Sequence, residues 1–400
     1  IPDFQTRDFF RVVFNAFIPA LGYSVYGYEE FRNILPERGD YTYKKFYPPV
    51  RYPGSMRTGH RTWANEYISL SVNSNGTIDV VNLKTGTVFK ELLIFEDSAD
   101  NGEGYNYKSP RCNSRYLSTN CRTEFSVEQD GPILVKLKLV HYLNLPAKMN
   151  EDGISRSSES KELRIVTYIE MKKGSSMVEF KTVVDNNIRD HRLRVLFPNY
   201  LDTDRFYATS PFFLQERKIQ KDDCSRYAEE ETGVYPNQGI VLLRDEKDCL
   251  ALYNRGLYEI EVFEDPSHTL ALTLSRSFRN EVGRDMGELS FMQMKMCFEY
   301  CLDFRSSEIS NGNIVISGER WRTGIRSLCT DSHQGTLPGN ESFLRLNAEN
   351  AVLSAFKIGK NGMIIIRIFN CAGESTEGFI ELYKAPQHVY YLNLNDEIIE

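Results

Sequence analysis

The sequence predicts an all-β chain of antiparallel sheets packed face to face, and three observations predict it. Apolar residues alternate with polar ones in GPILVKLKLVHYLNL, KELRIVTYIEM, SMVEFKTVVDN, LALYNRGLYEIEVF, TLALTLSRSF and KMCFEYCLDF. A period of two places one apolar face on each strand, which suits a half-buried antiparallel sheet. Asn75-Gly76 stands between two such alternating runs, Ile68-Leu70-Val72 and Ile78-Val80, and this is a hairpin signal of the strongest local kind. Almost nothing in the chain sustains a 3.6-residue period.

Taken in order, residues 1–35 hold one strand pair around RVVFNAFIPALGYSVYGYEEF, with Pro19-Ala20-Leu21-Gly22 as its turn. Residues 36–62 are rich in Pro, Gly, Tyr and Arg and read as a linker crossing a surface. A long β-block starts at Trp63, and a second turn at Thr85-Gly86 extends its first hairpin. Residues 305–342 are rich in Ser, Gly and Asn, and a last set of strands, including GMIIIRIFN, begins near Phe343. The expected division is 1–62, an N-terminal β segment and linker; 63–312, the large β-block; and 313–400, a small C-terminal β-sandwich. Each terminal piece is too thin to bury a core alone, so the two are expected to pack together or on a neighbour.

With 41% hydrophobic and 26% charged residues the chain is of ordinary globular composition. Its net charge of −7 and lack of a basic stripe argue against nucleic acid as a partner. The densest basic stretch, Arg51 to Arg61, is broken by Pro53, Gly54 and Gly59 and reads as solvated linker. No apolar run reaches the length that spans a bilayer, so no membrane partner is expected. The opening IPDFQTRDFF has neither a basic nor an apolar leader region, and it lacks an initiator Met. The chain therefore reads as an excised piece of something longer. Eight cysteines at irregular intervals make no C-x-x-C and read as reduced thiols of a cytoplasmic protein. Cys297 and Cys301 lie on a strand pattern, where residues four apart pack on one face.

Catalytic signatures are missing: there is no H-E-x-x-H, G-x-S-x-G, P-loop or G-x-G-x-x-G after a strand. Asp97, Asp100 and Glu103 lack calcium-loop spacing. Asp190-His191 is the best local acid–imidazole pair, but strand neighbours point to opposite faces, so the histidine reads as structural with a backbone partner. Asn75 and Asn340 sit in N-x-S/T sequons, and Asn75 is better explained as a turn residue. What stands out is a set of tyrosines and arginines at strand ends. They are Tyr105 and Tyr107 in FEDSADNGEGYNYKSP, Arg192 and Arg194 in DHRLR, Gln238 in YPNQG, and Arg276, Arg279 and Arg284 in LTLSRSFRNEVGRD. Aromatic faces with fixed donors suit a sugar.

The succession FNAFIPALGYSVY, NEYISLSVNSNGTIDVVNLKTGTVF, FEDSADNGEGYNYKSP, DHRLRVLFP, YPNQGIV, ALYNRGLYEIEV and LALTLSRSF, closing on VYYLNLNDEIIE, resembles the C-terminal β-region of glycoside hydrolase family 38 α-mannosidases, especially the bacterial type. The resemblance runs in order from about residue 9 to the end. It implies a β-supersandwich similar to galactose mutarotases for the large block, with small β-sandwich pieces at both termini. It also implies that zinc, the Asp nucleophile and the acid lie in an N-terminal α/β domain absent here, so that no catalytic residue, metal ligand or cofactor belongs to this chain. Carried over by motif, Tyr105 or Tyr107 and Arg276 would bind the sugar, with His191, Arg192 and Gln238 structural. The implied partners are that catalytic domain and a mannose-containing oligosaccharide or mannoside, with a homodimer as a further expectation. Two other readings stay open: an independent carbohydrate-binding module, and an aldose-epimerase-like enzyme using His141 or His191 with a carboxylate.

Overall fold

The computed structural model describes residues 12–27, 54–228, 231–281, 284–285, 287–331, 333–359 and 362–399. The chain divides into two compact units: Val50–Ile325 with Phe369–Ser375, and Ile1–Pro49 with Arg326–Ile368 and Thr376–Glu400. All named strand pairings are antiparallel, as the alternation predicts. Among the described residues no helix is long and apolar enough to cross a membrane.

The large unit contains three large sheets and a two-stranded ribbon, Asn280–Glu281 with Arg284–Asp285. A nine-stranded sheet runs in the spatial order Phe213–Lys218, Arg205–Ser210, Ile240–Arg244, Asp248–Asn254, Lys295–Ser306, Met177–Asp185, Ser160–Lys172, Leu134–Pro146 and Arg122–Asp130. A six-stranded sheet runs Val234–Pro236, Glu259–Val262, Leu270–Ser277, His191–Phe197, Ile94–Ala99 and Tyr116–Leu117. A four-stranded sheet takes Thr62–Ala64, Ile68–Val72, Ile78–Asn82 and Val88–Leu92 in chain order.

One hydrophobic cluster joins the inner faces of all three sheets. Phe180 and Tyr300 of the nine-stranded sheet stack at 5.2 Å between centroids, and Phe197 of the six-stranded sheet meets them at 6.1 and 6.0 Å. Phe89 of the four-stranded sheet meets Phe304 edge-on at 5.1 Å. Aromatic rings at these separations bury large apolar areas and fix the sheet spacing.

Local chemistry explains the first hairpin. Asn75 Oδ1 accepts from the Thr77 N–H and hydroxyl at 3.2 and 2.8 Å, and Gly76 takes φ +83°, where a side chain is strained. The basic stretch is not plain linker from Gly54 onward. Met56 is buried, and Arg57 donates to the carbonyls of Gly59 and His60 and lies over Trp63.

Two further points differ from the sequence reading. The segment 305–342, to which sequence reading assigns no element, contains a helix, Asn311–Thr323, capped by Ser310, whose side chain accepts from the Asn313 N–H. That helix docks through Gly318, where a Cβ would come within 2.7 Å of Ile240 Cδ1 and 2.9 Å of Tyr253 Cδ1. The N-terminal strand pair is not a local hairpin among the described residues: Gly22–Ser24 pairs with Asn340–Ser342, more than three hundred residues away. Positions 28–53, including most of the expected linker, lie outside the described residues. In the same small unit Leu344–Ala348 pairs with Gly378–Leu382.

Candidate functional site

The six-stranded sheet has two unlike faces. Along His191–Phe197, the residues His191, Leu193, Val195 and Phe197 alternate with Arg192, Arg194 and Leu196. Phe197 and its alternates face the aromatic core, so the arginines stand on the opposite face. Register brings Ser98 and Glu96 beside Arg192 and Arg194 on one side, and Arg276 and Thr273 beside them on the other. Glu259 and Glu261 join from the next strand.

This face is charged yet buried. Arg194 donates Nε and Nη2 to Glu96 Oε1 at 2.8 and 2.5 Å, and Nη1 to Glu261 Oε2 at 2.5 Å. Arg115 donates to the other Glu96 oxygen. Burial pushes the Glu96 carboxyl up, but the Arg194 and Arg115 guanidiniums outweigh it and hold the group below its ordinary range. The same pairing lifts Arg194 against burial. Arg192 goes the other way: burial and the neighbouring Arg194 lower it, with Tyr107 and Glu259 opposing.

The polar excursion after Ala99 is tied down by Arg276. Its Nε donates to Asp100 Oδ2 at 2.7 Å and its Nη2 to the Glu103 carbonyl at 2.8 Å. The Asp100 N–H donates to the Asp190 carbonyl, the Asn101 N–H to the Lys108 carbonyl, and the Gly104 N–H to Glu281 at 2.8 Å. Asp190 takes φ +51° to present that carbonyl, and its own carboxylate accepts from the Met149 N–H.

The two tyrosines part company within this loop. The segment is not an extended strand: a turn closed by the Glu103 N–H on the Asn106 carbonyl separates them, so the shared face expected of extended chain is lost. Tyr105 is 76% exposed. Tyr107 packs its ring against the Arg192 guanidinium at 3.5 Å, with Arg276 at 6.0 Å, and its hydroxyl accepts from Asn113 at 3.3 Å. Arg276 and Tyr107 therefore belong to one cluster, and Tyr105 stands at its open edge. Gln238 is elsewhere, its N–H donating to the Thr209 carbonyl.

His191 has a side-chain partner rather than a backbone one. Its Nδ1 lies 2.6 Å from Asp97 Oδ2, both side chains are fully buried, and Arg156 donates to the other Asp97 oxygen. His141 lies in the core against Phe95 at 5.3 Å, and burial lowers its pKa to about 4, with the Gly76 backbone opposing. Neither imidazole is reachable by a substrate, which removes the geometric basis of the epimerase reading.

Asp97 and Asp100 serve as anchors for Arg156, His191 and Arg276, and among the described residues no group of three His, Cys, Asp or Glu could hold a metal ion. Zinc does not fit these residues. Cys297 is exposed and Cys301 buried on one strand. On the charged face Glu96 and Glu261 are hydrogen-bonded to guanidiniums, while Glu259 accepts from the Thr273 hydroxyl at 2.6 Å. Period-2 charges in EIEV were the signal for Glu259 and Glu261, which sequence reasoning passed over together with Glu96 in FEDSA.

The comparisons with known proteins give this antiparallel β-fold its family. The model of the glycosyl hydrolases family 38 C-terminal domain matches residues 63–283, and the chain belongs to that family. A relative in Halalkalibacterium halodurans, named "Putative mannosylglycerate hydrolase", is 23% identical over 350 residues, 81% of this chain and 38% of that protein. An α-mannosidase structure from Enterococcus faecalis V583 superposes with a TM-score of 0.76 at 24% identity, over 84% of this chain and 39% of that one. A family 38 glycosyl hydrolase from Enterococcus faecalis gives 0.74 at 22% identity, over 86% and 41%. The chain thus spans about two-fifths of the length of these proteins.

Proposed function

We propose that this chain is the non-catalytic C-terminal region of a retaining α-mannosidase that removes terminal α-linked mannose. It forms one wall of the sugar cleft, and its partner is a catalytic domain that supplies the zinc, the nucleophile and the acid. The observation that carries the reading is the loop from Asp100 to Pro110, anchored by Arg276 while Tyr105 remains 76% exposed. A pre-ordered loop presenting an unspent aromatic hydroxyl suits recognition, because little entropy is lost when a ligand binds. Family membership supports the glycosidase assignment. The name of the bacterial relative makes a mannosylated small acid one substrate to try beside mannose oligosaccharides.

An assay on an activated aryl α-mannoside with added zinc, run on the chain alone and on the chain with its catalytic half, tests this. Activity in the mixture only, reduced at least about tenfold by Tyr105→Phe or Arg276→Ala, is the expected result. Turnover by the chain alone that survives a chelator would overturn the proposal. Saturable sugar affinity of the chain with no effect on a catalytic half would favour the binding-module reading instead.

A further inference from the structure

The nine-stranded sheet is left open at one residue of the strand Leu134–Pro146. The pairing of this strand with Ser160–Lys172 runs without a register shift. Just beyond its two ends the Ile133 carbonyl accepts from the Lys173 N–H, and the Ala147 N–H donates to the Glu159 carbonyl, each at 2.8 Å. Backbone groups alternate in direction along an antiparallel strand, so odd positions face Ser160–Lys172 and even positions face the strand Arg122–Asp130 on the other side. That second neighbour begins only at Arg122, opposite Tyr142. Further along, Pro146 has no N–H, and its carbonyl accepts from Arg156 at 3.2 Å. Asn144 lies between them and is exposed, and no group among the described residues hydrogen-bonds to its backbone N–H or carbonyl. A cavity of about 340 Å³ is lined by Asn144 together with Arg115, Arg122, Tyr142, Leu143 and Leu145. Arg122 lies over the Tyr142 ring at 3.8 Å and is 63% exposed, and its ion-pair partner Glu124 stands 3.8 Å away, beyond hydrogen-bond reach. Arg115 spends Nε and Nη2 on Glu96 and leaves Nη1 without an acceptor among the described residues.

An edge residue that offers N–H and C=O in the same direction takes a partner of the same kind. In a hydrogen-bonded antiparallel pair the facing residue exchanges both bonds, and its N–H and C=O belong to two successive amides. A single trans amide points its N–H and C=O in opposite directions and meets only one of the two. Paired residues share a face, so the partner's side chain falls on the face of Tyr142 and Asn144, beside Arg122, while its two neighbours turn towards the side of Leu143 and Leu145. An exposed guanidinium with unspent donors favours a carboxylate at that central position. We propose that this edge binds a short, extended, acidic peptide of a partner protein, which continues the line of Arg122–Asp130 past Asn144 with an Asp or Glu opposite it. Apolar residues on either side of that acid would lie against Leu143 and Leu145. Nothing in this edge depends on the sugar chemistry proposed above. Two waters would satisfy the Asn144 groups separately, and the test separates that case.

The test uses the 400-residue chain labelled with 15N-asparagine, the Asn144 amide signal being assigned by its loss in Asn144→Gln. The probe is the peptide acetyl-Val-Glu-Val-amide. The expected result is a saturable shift of that signal, with a Kd on the order of 1 mM. Binding should weaken about tenfold when the central Glu of the peptide is replaced by Gln, and by a similar factor for the acidic peptide on Arg122→Gln. It should be lost when the nitrogen of the central Glu is methylated, because the peptide then has no N–H to give the Asn144 carbonyl. No saturable shift with the acidic peptide would show an edge that is only hydrated and overturn the proposal. An undiminished response to the methylated peptide would overturn the strand pairing, and equal binding of the Glu and Gln peptides would overturn the acidic class. Should Arg122→Gln not fold, the Gln peptide reports the same contact on the unaltered chain.

Discussion

Replacing Arg276 by Met should free the loop that carries Tyr105 without unfolding the sheets. Asp100 is fully buried and Arg276 is 12% exposed, so the substitution leaves a carboxylate uncompensated in a low-dielectric site. Breaking one side of such a pair costs about 3–5 kcal/mol. The two lost bonds, to Asp100 Oδ2 and the Glu103 carbonyl, account for a comparable sum when each charge-assisted bond contributes about 1.5–3 kcal/mol. The loop has a cheaper escape, however, than unfolding the core: it can open locally and hydrate Asp100. Native-state hydrogen exchange therefore reads the effect better than a melting curve. The Asn101 and Glu103 amides, which donate to the Lys108 and Asn106 carbonyls, should exchange at least about a hundredfold faster, since 1.4 kcal/mol is a factor of ten. Core amides of Leu134–Pro146 should not change. Adding Asp100→Asn to the Met variant should recover much of the protection, because the stranded charge is then gone. Loop exchange within tenfold of wild type, or no recovery in the double variant, would refute the account of the pair as the loop's anchor.

Other substitutions probe the scaffold. His141 has its pKa lowered to about 4 from an ordinary 6.5, so the unfolded chain takes up the proton first as pH falls. Its contribution is intact above that ordinary value and shrinks below it, by about 2 kcal/mol at pH 5; urea titrations at pH 7 and 5 should show a difference smaller by that amount in His141→Leu. Burial raises the Asp190 carboxyl above its ordinary range, so its ionisation weighs against folding as pH rises. Asp190→Asn keeps an acceptor for the Met149 N–H and tolerates the positive φ; its stability at neutral pH should equal or exceed wild type, the gap closing in acid. Gly318→Ala drives a methyl into Ile240 and Tyr253 and should cost about 1–3 kcal/mol by chemical denaturation, despite alanine's better helix propensity.

The elements that could be read from sequence are those whose cause is local. The Asn75-Gly76 hairpin rests on a side-chain bond two residues long and one glycine φ, so it shows in a few letters. The helix Asn311–Thr323 has its cause elsewhere. NGNIVISGERWRT spends two glycines and four β-branched residues, propensity argues against it, and it exists because Gly318 lets it lie close on Ile240 and Tyr253. Its local traces were Ser310 at the N-cap, Arg320 and Arg322 in the last turn and Gly324 beyond, signals that outlive a weak periodicity.

The same division runs through the site. Alternation alone sets Arg192 and Arg194 on one face and Leu193 and Val195 on the other, but it expects that polar face to meet water. The structure buries all seven residues of the strand. The reason is long-range: Glu96 lies 98 residues from Arg194, Asp97 94 from His191, and Asp100 176 from Arg276. Each carboxylate of the EDSAD run is claimed by a side chain distant in sequence, so no spacing rule could have matched them. Family likeness pointed to Arg276 as an anchor for a sugar hydroxyl or a neighbouring carboxylate, without naming Asp100. That it holds the loop gives the arginine a testable role whether or not it also touches a sugar: a variant that lost sugar contact alone would leave Asn101 exchange unchanged, and one that lost the anchor would not.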